Sequence, residues 1–451
     1  MRIIVCVKVI KGELNPFDES AIECALRLSR DVTVISMGPE STLSVLKPLT
    51  RLGAKVVLLS DHAYAGSDTL ATSYVLAEAI KKIGFDLVIC GRQSIDGDTA
   101  QVGPMLSQKL GIELETQALS VESFENGIEV KMRDKTKMLR LPCLVTVERS
   151  CVLRFPSIFS KLGAVTLWSN ADIGCDVQKC GLTGSPTRVI KTFESEKGKR
   201  KCKFIPYGEL FSLVEELKSK SLPQKVEKKQ SDKKLPKVFA VGEAVLGIAE
   251  ESADKVILKD GSLPEKVAED AIAEKPDAIL WGADVEGRKN APITAAILNT
   301  GLCADCTALE CDGEDLFMYR PALSGSIIAK IKCLTKPIMA TVRCESESSD
   351  IIIAVGKGVG DKMDKIEALA KELGAEIAGS RGAVDMNIIS YEKQIGLTGK
   401  KVSPKIYIAI GISGAVHHTV AIEDAETVIA INPDKSARIF DYADYGILSS
   451  F

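Results

Sequence analysis

The sequence predicts an α/β protein of parallel sheets: two related halves followed by a separate C-terminal α/β unit. Three observations carry this. Through residues 3–110, short apolar runs alternate with amphipathic helical patterns, which calls for parallel strands joined by right-handed crossovers. The same order returns between residues 256 and 342: a βαβ series, a glycine loop after a strand, a helix, then short meandering strands. Beyond Asp350, glycine turns crowd together at GKGVG, QIGLTGK and IGISGA.

Composition limits the function classes. The 451 residues are 45% hydrophobic and 26% charged, ordinary globular material with length for several domains. A net charge of -3 argues against nucleic-acid binding. No apolar run approaches the roughly 18 residues of a membrane span, and MRIIVCVKVIKG reads as a first strand rather than a leader. Thirteen cysteines, scattered in apolar runs such as those of Cys6 and Cys90, read as buried thiols in a reducing cytoplasm. Cys303 and Cys306 form a CxxC pair, but only Cys311 lies near and no histidine completes a tetrahedral set. No metal site is expected.

Each element follows from local pattern. Ile3 to Val9 reads as a strand, Glu19 to Ser29 as a helix, Val32 to Ser36 as a strand, Ser41 to Leu52 as a helix and Lys55 to Leu59 as a strand. A helix over Thr69 to Ile83 and a strand over Leu87 to Cys90 lead into GRQSIDGDTAQVGP, residues 91–104. Ligands of open α/β sheets sit beyond the carboxyl ends of strands, where this loop falls. Gly91, Gly97 and Gly103 permit tight turns, and Ser94, Asp96, Asp98, Thr99 and Gln101 supply groups that grip ribose and phosphate. Asp98 or Thr99 equally suits the N-cap of a helix at Val102 to Leu110.

Shorter runs then suggest appended antiparallel strands at Gly127 to Met132, Met138 to Arg140 and Cys143 to Val147. Residues 153–168 carry Phe155, Ile158 and Phe159 beside Pro156, a loop that either tucks onto its own domain or docks a partner. Between Lys218 and Lys237, eight lysines and two prolines mark a solvated linker. The second half resumes with strands at Val256 to Leu258 and Ala278 to Trp281, and helices at Leu263 to Ala273 and Pro292 to Leu298. Added antiparallel strands are expected at Met318 to Pro321, Ile327 to Ile331 and Ile338 to Val342.

The last unit opens with DIIIAVGKGVGDKMDKIEALAKELG: a strand, a turn at Gly356, Gly358 and Gly360, and a helix from Asp361 to Leu373. A strand at Ile406 to Ile410 then breaks at Gly411 into a helix carrying His417 and His418, and a strand from Thr427 ends at Asn432. Such a turn is either a phosphate site, built from free N–H groups and a helix dipole, or an idle connection. The density of glycine turns, cations and hydroxyls around it favours a large phosphate-bearing cofactor.

SRGAVD, QIGLTGK, PKIYIAIGISGAVHH, VIAIN and ADYGI, in this order, closely resemble the flavin-binding region of the electron transfer flavoprotein alpha subunit. NPFDESAIECALRL, ISMGP, SDTLATS, GRQSIDGDTAQVGP and GLTGSPTRV resemble the beta subunit. The chain thus resembles both subunits fused. The resemblance implies two Rossmann-like domains of the adenine-nucleotide hydrolase type plus an FAD-binding domain. Their expected bounds are 1–217 (beta-like with a C-terminal arm), 218–237 (linker), 238–349 (shortened alpha-like) and 350–451 (FAD-binding).

By the resemblance, FAD would contact Lys357, Ser380, Arg381, Ile395, Gly396, Leu397, Thr398, Ser413, Gly414, Ala415, Val416, His417, His418 and Asn432. Arg381 would stabilise the anionic reduced or semiquinone flavin and raise its potential. His418 would donate to the pyrimidine carbonyl, Thr398 would reach N5, and Lys357 with Ser413 to Ala415 would meet the pyrophosphate. A second nucleotide, AMP or a second FAD, would bind through Cys6, Asn15, Pro16, Phe17, Asp18, Met37, Gly91, Arg92, Gln93, Ser94, Ile95, Asp96, Gly97, Asp98, Thr99, Ala100, Gln101 and Val102. A second FAD belongs to the bifurcating branch, with NADH as electron source; GRQSIDGDTAQVGP and SDTLATS look closer to that branch.

The implied partner is a flavin dehydrogenase such as an acyl-CoA dehydrogenase, docking near Leu153 to Phe159. Lys357 replaces a usual arginine, His417 a usual glutamine, Leu397 a polar residue and Ser450 an acid. These departures leave a second reading, a redox-inactive nucleotide-binding sensor or scaffold.

Overall fold

Runs of buried apolar residues form the central strands of three parallel sheets, as expected where both faces of a strand array are covered, and the strands at the edges are more polar. The computed structural model describes the chain except residues 134, 195–199, 220–232, 323–326, 344–348, 391–392, 397–401, 420, 424 and 451, and the side chains of residues 194, 219, 416 and 417. It divides into two units: Met1–Glu194 with Lys228–Cys344, and Ser195–Glu227 with Glu345–Phe451.

The first unit opens with β1 (Arg2–Val7), α1 (Pro16–Leu28), β2 (Asp31–Met37), β3 (Lys55–Leu59), α2 (Thr69–Ile83), β4 (Leu87–Gly91) and α3 (Val102–Leu110). Alternate residues of β1 feed two cores: Ile3 and Val5 pack with Ala21 and Ile22 of α1, and Ile4 and Cys6 with Val75 and Ile80 of α2. Burying one such side chain stabilises by about 1.5–3 kcal/mol. Asp68 caps α2 by accepting from the N–H groups of Leu70 and Ala71. Then come β5 (Glu113–Ala118), β6 (Ser120–Phe124), β7 (Gly127–Lys131), β8 (Thr136–Arg140), β9 (Cys143–Val147) and β10 (Val165–Trp168). The parallel sheet runs β10-β3-β2-β1-β4-β9-β5, and β6-β7-β8 form an antiparallel meander.

After β11 (Thr187–Glu194), the first unit resumes at β12 (Leu235–Val241), β13 (Ala253–Lys259), α4 (Pro264–Glu274), β14 (Ala278–Gly282), α5 (Val285–Leu298) and β15 (Leu302–Cys306). The short strands β16 (Ala308–Cys311), β17 (Leu316–Ala322) and β18 (Ile327–Cys333) precede β19 (Ile338–Val342). The second sheet, β13-β12-β14-β19-β15, repeats the order β2-β1-β4-β9-β5 of the first. Bulges recur at equivalent places, with left-handed φ at Gln117 and Asp305. Register makes Cys6 and Cys90 of the first sheet equivalent to Val241 and Trp281 of the second. β16, β17 and β18 instead extend an antiparallel sheet in which β11 pairs with β18.

The structure corrects three readings. Cys143–Val147 and Ile338–Val342 are central parallel strands, not antiparallel additions, because each meander returns the chain to its parent sheet. Residues 41–52 are not one helix: Leu43–Leu46 is α-helical between 3₁₀ turns, and Pro48 lacks the N–H that would continue it. The helix expected from Pro292 starts at Val285, where Asp284 caps the N–H of Gly287.

The second unit comprises β20 (Ile351–Val355), α6 (Met363–Leu373), β21 (Glu376–Ser380), α7 (Arg381–Asp385), β22 (Gln394–Ile395), β23 (Ile406–Ile410), α8 (Val416–Thr419), β24 (Thr427–Ile431) and β25 (Tyr445–Ile447). Its parallel order is β25-β24-β23-β20-β21-β22, and Lys203–Phe204 pairs with β25 at the edge. The arm after Glu194 belongs to this unit: Leu210, Val214 and Leu217 pack in its core, and Arg200 pairs with Asp444. Most of the lysine-rich stretch lies outside the described residues, and β12 already begins at Leu235.

Candidate functional site

In the second unit the chain leaves β20 toward β21 and β22, then crosses to β23, β24 and β25 on the other side. The crevice between the carboxyl ends of β20 and β23 is therefore a topological switch point, where open α/β sheets bind ligands. Both strands end in glycine here for a steric reason. A Cβ on Gly356 would lie 2.1 Å from the Gly411 carbonyl oxygen, and one on Gly411, at φ +65°, 2.9 Å from the Gly358 carbonyl carbon. The two turns touch backbone to backbone, and Gly358 N–H donates to Gly411 O at 3.2 Å.

Around that floor the structure gathers Lys357, Arg381, Ser413, Gly414 and Ala415. Gly414 has φ +83°, and a Cβ there would meet Ile439 N at 2.1 Å. Ser413 and Ala415 are exposed, and among the described residues nothing accepts from the N–H groups of Ser413, Gly414 or Ala415. The Lys357 stem crosses Gly382, where a Cβ would stand 2.4 Å from Lys357 Cε, which brings its ammonium to the start of α7 beside Arg381. Arg381 is exposed, and among the described residues its counter-ion is Asp385 at 3.7 Å. Ser380 caps α7 through Ala383 N–H. Two exposed cations and free N–H groups above a glycine floor can hold a pyrophosphate, and side chains on the glycines would fill that space.

Asn432 and His418 serve the site from beneath. Asn432 Nδ2 donates to Ile412 O at 2.9 Å while its Oδ1 accepts from Asp434 N–H, so this buried amide clamps the turn. His418 is 6% exposed. Its Nδ1 lies 3.2 Å from Ile395 O, and its Nε2 2.8 Å from the Tyr407 hydroxyl. A carbonyl only accepts, so Nδ1 carries the proton and Nε2 accepts from Tyr407. Burial pushes the imidazole pKa down to about 4, the Ile395 carbonyl pulling weakly the other way. Both ring nitrogens thus face protein atoms, and donation to a flavin carbonyl would require His418 to give up the Ile395 carbonyl. Ile395 and Gly396 are buried; Leu397 and Thr398, with the side chains of Val416 and His417, lie outside the described residues.

The first unit has its own switch point between β1 and β4, where Cys6 pairs with Cys90. Asn15, at the start of α1 before Pro16, ties the loop at 91–102 down: Nδ2 donates to Gln93 O and Oδ1 accepts from Ile95 N–H. Asp18 is buried and accepts from Lys8 N–H at 2.7 Å; burial raises its carboxyl to about 7 against that hydrogen bond. Gly91 leaves no room for a side chain, since a Cβ would sit 2.3 Å from Asp18 Oδ1. Lys8, which sequence reasoning missed, pairs with Asp96 at 2.7 Å. Arg92 lies over the Phe17 ring and pairs with Glu148. Gln93 donates to Asp98, and Gln101 bridges Thr69 and Leu302 O. Left-handed φ at Asp98 and Ala100 shapes the segment around Gly97 and Thr99. Ser94, Gly97, Asp98, Thr99, Ala100 and Val102, with Met37 at the end of β2, are half-buried. Among the described residues no cluster suits a metal ion, and no helix is long and apolar enough to cross a membrane.

Doubly wound sheets with loops built at their switch points define a nucleotide-binding α/β protein. The family model Electron transfer flavoprotein domain matches residues 3–169 and 235–367, and Electron transfer flavoprotein FAD-binding domain matches residues 346–423. The chain belongs to the electron transfer flavoprotein family. It is 39% identical over 235 residues to electron transfer flavoprotein subunit beta of Clostridium acetobutylicum, covering 44% of this chain and 89% of that one. It is 36% identical over 255 residues to subunit alpha of the same organism, covering 44% of this chain and 76% of that one. A third relative, the Caffeyl-CoA reductase-Etf complex subunit CarD of Acetobacterium woodii, is 35% identical over 229 residues, 43% of this chain and 87% of that protein. Beta-like and alpha-like parts are joined here in one polypeptide, with the FAD-binding domain C-terminal.

Proposed function

We propose that this chain is an electron carrier holding FAD at the β20/β23 switch point and exchanging electrons with a flavin dehydrogenase, such as an acyl-CoA dehydrogenase. The observation that carries the reading is the glycine floor of Gly356, Gly358 and Gly411 with Lys357 and Arg381 at its rim. Bound FAD supplies reversible electron transfer. The chain's residues hold and tune it: Lys357 and the N–H groups of Ser413 to Ala415 take the pyrophosphate, and Arg381 favours the anionic reduced ring. Neutral His418 fixes Ile395 and the strand below.

The loop at 91–102 is assigned a second nucleotide, FAD or AMP; with FAD there, the chain would take hydride from NADH and split the electron pair. Docking is assigned to the loop near Leu153 to Phe159. Phe155, Ile158 and Phe159 are 95%, 85% and 86% exposed, while Arg154 anchors its base to Glu23 at 2.9 Å. That anchoring supports a presented patch rather than a tucked one.

Flavin and AMP content per chain tests the reading. Two flavins support bifurcation, and one flavin with AMP supports the simpler carrier. A colourless protein that FAD cannot reconstitute overturns both and leaves the nucleotide-binding sensor.

A further inference from the structure

Away from both switch points, the first unit contains a cavity of about 240 Å³ between α2, the last turn of α3, the segment 178–188, the end of α5 and the turn before β19. Lys109, Lys179 and Arg188 all line it. The two ammonium groups flank one ring: Lys109 Nζ is 6.0 Å and Lys179 Nζ 5.7 Å from the Tyr74 centroid.

Little negative charge answers these cations. Arg188 donates to the carbonyls of Ser185 at 2.8 Å, Thr187 at 3.1 Å and Leu182, which orient the guanidinium but do not neutralise it. Among the described residues, Lys109 has no carboxylate within ion-pairing distance, and Lys179 has Asp176 at 3.8 Å. Nearby acids are committed elsewhere. Asp68 accepts from the neutral donors of Leu70, Ala71 and Thr187 and keeps its charge, but among the described residues it forms no ion pair with the three cations, and Glu78 holds Lys81 at 2.9 Å. Burial, with Lys179 and Lys81 close by, holds Lys109 below the usual lysine range. Like charges gathered at a partly desolvated cavity repel one another unless an anion joins them. Leu70, Pro186 and Leu334 add apolar surface to the lining.

We propose that this cavity is a binding site for a phosphate-bearing small molecule, its phosphate held by Lys109, Lys179 and Arg188 and its body against that apolar surface. A phosphate dianion offers three strong acceptor oxygens to the three cations that line this cavity, where one carboxylate would leave positive charge unmatched. The site is distinct from the nucleotide crevices, and its occupancy does not depend on the redox reading.

The test uses the full chain as purified, whatever its flavin content. Lysines are acylated with a limiting amine reagent, without ligand and with inorganic phosphate or phenyl phosphate at matched ionic strength, and modification is read by peptide mass spectrometry. Phenyl phosphate is expected to slow acylation of Lys109 and Lys179 roughly tenfold, the scale of a charge-assisted contact, with exposed Lys11 and Lys275 unaffected. Phosphate protecting equally well would identify free phosphate as the ligand. Lys109→Met or Lys179→Met should weaken phenyl phosphate binding, measured calorimetrically, by roughly tenfold each, with flavin content unchanged. Absent protection, or equal protection of all lysines, overturns the proposal.

Discussion

His418 gives a sharp test, because the protein has only three histidines. Its folded pKa is depressed from 6.5 to about 4 by burial. Below pH 6.5 the unfolded chain takes up a proton that the folded imidazole refuses, so stability present at pH 7 is lost as pH falls from 6.5 toward 4. At 1.36 kcal/mol per pH unit, the loss reaches about 2 kcal/mol at pH 5 and about 3 kcal/mol at pH 4. His418→Gln removes the titration while its amide reproduces the polarity of the pair, donating to Ile395 O and accepting from Tyr407. Hydrogen exchange of peptides spanning β23, compared between wild type and variant at pH 7 and pH 5, isolates this contribution from the carboxylates. The opening free energies should diverge by about 2 kcal/mol on acidification. In the NMR spectrum the His418 Hε1 resonance should stay fixed down to pH 5. A His418 resonance titrating near 6.5, or parallel pH profiles for the two proteins, would refute the buried neutral imidazole.

Other outcomes follow from the same geometry. Gly414→Ala places a Cβ 2.1 Å from Ile439 N at φ +83° and should cost about 2–4 kcal/mol together with flavin retention. Gly208→Ala, with open space around it and no left-handed φ, should change stability by about 1 kcal/mol or less; thermal shift and bound-flavin absorbance compare the two. Arg381→Ala should lower the one-electron potential to the anionic semiquinone by about 40 mV, or the two-electron potential by about 20 mV, the worth of one solvent-screened charge near 1 kcal/mol. Potentiometric titration reads it, and an unchanged potential would remove Arg381 from the tuning role. Phe155→Ser with Phe159→Ser should slow electron exchange with a flavin dehydrogenase at least roughly tenfold, leaving flavin content and melting temperature unaltered because both rings are exposed.

Much of this was legible in the sequence where local rules act alone. The strands at Ile406 to Ile410 and Thr427 to Ile431 follow from continuous apolar runs, and the glycine turns mark the carboxyl ends where ligands bind. Pairing partners were less visible. Cys143–Val147 and Ile338–Val342 follow meanders and were read with them, although full burial on both faces places them inside parallel sheets. Side-chain pairing across the fold was least visible. Tyr407 lies among aliphatic residues with nothing local to mark its bond to His418, except that a buried tyrosine hydroxyl needs a partner. Asn432 is expected as a ligand contact; that its amide also holds the Ile412 carbonyl, a pairing across 20 residues, has no local signal. Lys8 drew no notice because its partner Asp96 is 88 positions away.

The duplicated sheet order has a consequence for how many ligands such a chain can take. Topology alone would give the second half a crevice like the first, at the carboxyl ends of β12 and β14. Where the first half has Cys6 and Cys90, however, that position carries Val241 and Trp281, the indole 2% exposed and packed so closely on Gly261 that a Cβ there would meet it at 2.9 Å. One copy keeps small side chains at the fork of its strands, and the other has turned the same place into solid core. Under the proposed reading, side-chain volume at a single strand end thus separates a half that can receive a nucleotide from one that serves as scaffold.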